Sequence, residues 1–287
     1  MQNKQVEVAL SEPSVQAVRD WWSTQIIDIK PGSIRVRGYP IQELIGQVGL
    51  AQMIWLMFRG ELPDPRRAAL LEAALVAAVD HGPQAPSISI ARMSMTCGVG
   101  INNAVASGLN ALGDVHGGAG QQCMALFYEL AEQARQEGAS LEDVALRHAR
   151  HALSGKRIVP GFGHRFHKTD PRAQRLQALL AQAPPDVIDG SYMRLAHALQ
   201  SAISGIKGGP VALNIDGALA AVLCELGFDA LLGRGLFVLS RAVGICAHAY
   251  EQSIQGGRIK GPSPPSVGYL YNGPEPRTLS QETSNED

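Results

Sequence analysis

The sequence predicts a mostly α fold. Several segments carry apolar residues at helical spacing between explicit cap and stop residues, alternating strand patterns are scarce, and glycine-rich breaks separate the apolar runs. The one good strand pattern is SIRVRGY at Ser33 to Tyr39, which reads as a short hairpin arm. In LPDPRRAALLEAALVAAVDHG, Asp64 can cap a helix and Pro65 suits its first position. Leu71, Ala74, Leu75 and Ala78 then share a face, and Gly82 can stop the run. Ser140 followed by Asp143 resembles a capping box opening a helix that ends at Gly155. Asp170-Pro171 opens another, through about Leu180, and GLFVLSRAVGICAHAYEQSIQGG is a long apolar helix that must bury Arg241 or turn it toward a cavity. From Gly256 to Pro276 the Pro- and Gly-rich sequence predicts an extended arm, with TLSQETSNED frayed beyond it.

At 287 residues the chain is long enough for one large domain or two modest ones. Charged residues make up 18%, which fits an ordered globular protein, and a net charge of −1 gives no basic footprint for nucleic acid. MQNKQVEVALSEPSVQ lacks a basic start followed by an apolar run, so no secretory signal is expected. Met93 to Gly113 is uncharged, yet its asparagines, serines and glycines suit a membrane poorly. The expectation is a soluble, cytoplasmic protein. Cys97, Cys123, Cys224 and Cys246 show no CxxC spacing and read as buried small hydrophobes, with a catalytic thiol as the alternative.

Three segments carry candidate chemistry, each beside a glycine break. In DVHGGAG, paired glycines let backbone approach a ligand, and His116 could donate to a developing oxyanion; it could equally be a loop residue or a cap. VPGFGHRFHKTDPRA gathers His164, Arg165, His167, Lys168 and Arg172 around Gly161 and Gly163, donors suited to an anion such as a cofactor phosphate; the alternative is a solvated basic loop. Asp216 in ALNIDGALAAVLCEL lies among apolar residues, where desolvation favours the neutral acid and permits proton transfer to carbon; it could also cap the following helix.

His116 in HGGAG, His164 in GFGHR followed by DPRA, and Asp216 in NID occur in the order and approximate spacing of the catalytic triad of the citrate synthase family, which this sequence resembles from about Ile34 to Gly273. The resemblance implies a multi-helical fold with a large and a small domain: residues 1–155 in the large domain, 156–210 as the small domain with the GFGHR loop, and 211–287 completing the large domain with the C-terminal arm. It also implies that His81 in DHGPQAPS, Arg172 and Arg241 bind substrate carboxylates. Gly161, Gly163, Arg165 and Lys168 would face coenzyme A, and no metal or prosthetic group would be required.

Within the family, IRVRGYPIQELIG, DHGPQAPS, NIDGALAAVL and GLFVLSRAVGICAHAYEQ are more similar to the citryl-CoA lyase branch. Gly217 stands where citrate synthases usually carry phenylalanine, a change expected to widen the pocket beside Asp216. The C-terminal arm has Arg258 and Lys260 in place of an Arg-Pro-Arg stretch, and His164 precedes Arg172 by one residue fewer than is usual. The chemistry implied is cleavage of citryl-CoA, or a related branched 3-hydroxyacyl-CoA, to acetyl-CoA and oxaloacetate. Condensation of acetyl- or propionyl-CoA with oxaloacetate and non-catalytic acyl-CoA binding are the alternatives. The partners implied are an acyl-CoA, a di- or tricarboxylate and a second copy of the chain in a homodimer or larger homo-oligomer. His148, His151 and His197 read as surface or core residues, and His248 as intermediate.

Overall fold

The computed structural model describes residues 12–163, 170–264, 266–268 and 270–275. Among them the chain runs α1 (Glu12–Trp21), β1 (Ile27–Lys30), β2 (Ser33–Val36), β3 (Tyr39–Pro40), α2 (Ile41–Leu44), α3 (Leu50–Arg59), α4 (Pro65–Ala78), α5 (Pro86–Thr96), α6 (Ile101–Asn110), α7 (Ala119–Glu137), α8 (Leu141–Ser154), α9 (Pro171–Gln182), α10 (Ser191–Lys207), α11 (Ile215–Glu225) and α12 (Ala230–Gln255). The mostly α prediction holds. The strands form one antiparallel sheet in the order β1-β2-β3, with Ile27 opposite Val36, Lys30 opposite Ser33, and Arg35 opposite Pro40. The arm thus contains one strand more than the SIRVRGY pattern predicts.

Local chemistry sets the helix ends. Asp64 and Asp170 cap α4 and α9 in the same way, each carboxylate accepting the amide of the arginine two residues on, at 2.7 Å for Arg66 and 3.0 Å for Arg172. A proline occupies the first helical turn in both. At α8, Ser140 Oγ accepts the Asp143 amide at 3.1 Å and donates to the Asp143 carboxylate at 2.7 Å. This reciprocal pair differs from a capping box, because the acid reaches the serine side chain rather than its backbone.

Two compact units divide the chain. The first comprises the described residues up to His81 together with Leu112–Gly244, the second Gly82–Ala111 with the residues from Ile245 on. The expected domain boundaries at 155/156 and 210/211 both lie inside the first unit. Its core is built from α4, α7, α8, α10 and α11, and includes fully buried Phe127, Leu130, Leu195, Leu199, Leu223 and Phe228. Each such side chain contributes about 1.5–3 kcal/mol of burial free energy. Every residue of α11 from Gly217 to Cys224 is buried, so this helix is central to the unit. In the second unit, α5 and α6 cross closely, because a β-carbon at Gly108 would come within 2.6 Å of the Ser87 carbonyl oxygen.

The α12 helix is long and apolar enough to cross a membrane by length and composition alone. Its first-unit part is instead a core element: Leu236 is buried, and Gly233 lies so close to Met124 that a β-carbon there would sit 2.2 Å from the sulfur. Cys123 and Cys224 are buried as expected, whereas Cys97 and Cys246 are exposed. Cys97 is the C-cap just past the end of α5, and Cys246 lies on an exposed face of α12, positions that the surrounding composition does not reveal.

Candidate active site

His116 sits in a tight loop leading into α7. The Gly113 amide donates to the His116 carbonyl at 2.8 Å, and Gly117 adopts φ +93°, a region open mainly to glycine. A β-carbon at Gly117 would lie 2.9 Å from the Phe237 ring, and one at Gly118 would lie 2.5 Å from the Asp114 carbonyl oxygen. The loop is tied from two sides. Arg234 pairs with the Asp114 carboxylate at 2.5 Å, and Gln122 Nε2 donates to the Asp114 carbonyl at 3.0 Å.

Asp216 lies in the first turn of α11, half-buried, but it is not the cap. That position belongs to Asn214, whose Oδ1 accepts the Gly217 amide at 3.1 Å. The same stretch pairs with the glycine loop that precedes position 164. Phe162 and Leu213 form an antiparallel bridge, the Gly163 amide donates to the Ala212 carbonyl at 2.7 Å, and the Asn214 amide donates to the Gly161 carbonyl at 3.0 Å. Asn214 Nδ2 adds a bond to the Gly163 carbonyl at 2.9 Å. A β-carbon at Gly120 in α7 would lie 4.0 Å from the Asp216 carbonyl oxygen, so the N-terminal ends of α7 and α11 meet here.

Gly217 has a different meaning from the one its sequence context suggests. A β-carbon there would come within 2.5 Å of both the Gly161 carbonyl oxygen and Leu213 Cδ1, and one at Gly161 within 2.7 Å of Cys123 Sγ and 2.8 Å of Gly217 Cα. The two glycines are required by backbone-to-backbone contact. The space beside Gly217 is therefore filled by the glycine loop rather than opened as a wider pocket.

Electrostatics link the remaining residues. The pKa of His116 is lowered by burial, then by the charges of Arg241 and His81. Arg241 is 5% exposed, its Nε donates to the Ala78 carbonyl at 3.1 Å, and its guanidinium carbon lies 4.9 Å from the Phe237 ring centroid. Burial lowers its pKa as well, opposed by Asp80 and Asp216 and reinforced by Arg172. His81, His116, Asp216, Arg172 and Arg241 thus share one charged neighbourhood in the first unit, with Asp80 as a member that the sequence did not single out. Arg172 is folded onto its own helix cap, with Nε and Nη2 at 3.1 and 2.9 Å from the Asp170 carboxylate. His81 is exposed. His164, Arg165 and Lys168 lie outside the described residues, as does His167, while Gly161 and Gly163 are fixed as above.

Sequence reasoning missed Asn214, although an asparagine two residues before an acid at a helix start is a readable cap signal. Three of the other described histidines have local contacts: His197 bonds Gln177 at 2.9 Å, His151 contacts Arg157, and His248 contacts Arg92 at 3.2 Å. Together the described groups offer a half-buried imidazole, a half-buried carboxyl, buried Arg241 and half-buried Arg172, a set suited to moving protons beside an anionic substrate.

The family described as "Citrate synthase, C-terminal domain" matches residues 57–263. The citryl-CoA lyase of Hydrogenobacter thermophilus is 34% identical with a TM-score of 0.80, covering 91% of this chain and 98% of its own. Citrate synthase from Thermoplasma acidophilum, solved as a ternary complex with carboxymethyl coenzyme A and oxaloacetate, is 25% identical with a TM-score of 0.63, over 81% of this chain and 59% of that one. Citrate synthase 2 of Bacillus subtilis (strain 168) is 28% identical over 71% of this chain and 52% of its own length. The chain spans about half the length of the curated relatives it matches. With the family match covering most of the sequence and the fold shared nearly end to end with a solved lyase, the chain belongs to the citrate synthase family of enzymes.

Proposed function

We propose that the protein cleaves citryl-CoA, or a closely related branched 3-hydroxyacyl-CoA, to acetyl-CoA and oxaloacetate. The observation that carries this reading is the meeting of the α7 and α11 N-terminal ends, with His116 and Asp216 in the same charged neighbourhood as buried Arg241. The 34% identity to a citryl-CoA lyase over 91% of the chain supports the lyase branch.

In the forward direction, His164 takes the proton from the tertiary hydroxyl. The carbon–oxygen bond becomes a carbonyl, the adjacent carbon–carbon bond breaks, and its electron pair moves into the acetyl unit as the thioester enolate. His116 donates a hydrogen bond to the enolate oxygen. Its lowered pKa keeps the imidazole neutral near pH 7, a donor that stabilises the oxyanion without protonating it. Asp216, as the carboxylic acid, gives its proton to the terminal carbon and releases acetyl-CoA, and the proton held by His164 returns the site to its starting state through solvent.

Arg241, Arg172 and His81 hold substrate carboxylates, and buried Arg241 gains most from an anion because it is already stripped of water. Gly161 and Gly163 present backbone to the coenzyme A chain, and Arg165 and Lys168 meet its phosphates. A homodimer or larger homo-oligomer is supported by Leu239, Val243, Tyr250 and Ile254, which recur at helical spacing along α12 and are all exposed.

The synthase direction is the second reading, favoured by the Bacillus subtilis relative. Citryl-CoA and the acetyl-CoA plus oxaloacetate pair should be supplied separately and the products identified by mass spectrometry. The expected result is acetyl-CoA and oxaloacetate from citryl-CoA with little free coenzyme A. Free coenzyme A and citrate from the second mixture at a comparable rate would establish the synthase, and no reaction in either would overturn both readings.

A further inference from the structure

Chemistry that needs His164 and Asp216 together needs a device that sets the distance between two chain segments remote in sequence. Between the described residues on either side, the backbone hydrogen bonds are those of a single antiparallel bridge, Phe162 with Leu213, at the loop's end. One side chain spans this junction. Asn214 Oδ1 accepts the Gly217 amide at 3.1 Å, while Nδ2 donates to the Gly163 carbonyl at 2.9 Å. The carbonyl can only accept and the amide N–H can only donate, so the two contacts also fix which end of the amide faces which segment. Serine, threonine and aspartate all cap helices, but none offers an acceptor and an N–H donor on one rigid plane.

We propose that Asn214 is a positioning residue of the reaction, holding the chain that enters position 164 against the helical turn that carries Asp216. Gly163 is the residue immediately before His164, and Gly217 the residue immediately after Asp216, so the amide clamps the backbone directly beside each of them. The requirement for glycine at 161 and 217, where neither position has room for a β-carbon, keeps the loop and the helix close enough for one amide to reach both. Capping alone would make Asn214 a stability residue. The second bond makes it a coupling between the two segments.

The inference rests on the thioester reading for its catalytic consequence, and two variants separate the roles. Asn214→Asp keeps the shape and the cap but turns an acceptor toward the Gly163 carbonyl, and Asn214→Ser keeps a cap and removes the bridge without repulsion. Both should melt close to the wild type. Their kcat on citryl-CoA should fall about tenfold to a hundredfold, the range that follows from small misplacement of reacting groups, with KM changed by less than about twofold. Hydrogen–deuterium exchange of the peptide covering residues 157–163 should accelerate about fivefold or more in both variants, since one net hydrogen bond holding the loop is lost. A kcat within about twofold of the wild type in both would overturn the positioning role, whatever the exchange shows. Should the wild type itself leave citryl-CoA and the acetyl-CoA plus oxaloacetate pair unchanged, the functional reading fails separately, and unaltered exchange in the variants would then overturn the bridge as well.

Discussion

Asp170 and His116 show how single ionisable groups are set by their surroundings. Burial would push the Asp170 carboxyl up, yet the side-chain bonds and charge of Arg172, with backbone N–H groups of the first turn, outweigh it and hold the pKa down. A depressed acid contributes stability above its ordinary pKa and loses it as pH falls through the folded value, so this buried pair is a source of acid lability. His116 has the opposite chemistry. Its folded pKa lies below 6.5, mainly through burial, so the unfolded chain binds more protons in the intervening window and stability falls as pH drops below about 6.5. An NMR titration of the His116 ring should give a midpoint below 6.5. In Arg241→Gln the midpoint should rise while staying below 6.5, because burial is the larger cause. A wild-type midpoint at or above 6.5 would remove the basis for treating His116 as a neutral donor.

Among the helices, the ends that sequence revealed are those whose chemistry is local. Asp64, Ser140 and Asp170 cap through residues two or three positions away, and all three were legible. The β1 strand was missed because it has only four residues, so the alternation of Ile27 and Ile29 with Asp28 and Lys30 runs for just two periods. Gly217 was legible as unusual but misread, since its reason is the Gly161 carbonyl more than 50 residues away in sequence. That misreading yields a test of the packing. Glycine to alanine within a helix normally stabilises by about 1 kcal/mol. At Gly217 the new methyl would meet two atoms at 2.5 Å, so Gly217→Ala should instead destabilise by roughly 1–3 kcal/mol in urea denaturation. A stabilised variant would show that the loop can withdraw from α11.

For the molecule as a whole, motifs far apart in sequence announced the site better than any local pattern announced its geometry. The order of His116, His164 and Asp216 pointed to one chemistry, and the fold brings the HGGAG loop, the GFG loop and the start of α11 to a common place in the first unit. What sequence could not supply was the tethering: Asp114 held by Arg234, and the amide of Asn214 spanning two segments, both contacts set by tertiary packing rather than by spacing. The proposed cleavage depends above all on Asp216 acting as a proton donor to carbon. The most direct measurement is turnover of citryl-CoA by Asp216→Asn alongside coenzyme A binding by calorimetry. Loss of turnover by about a thousandfold or more with binding retained is the result expected of a group that acts in the transition state. Turnover near that of the unaltered protein would contradict it.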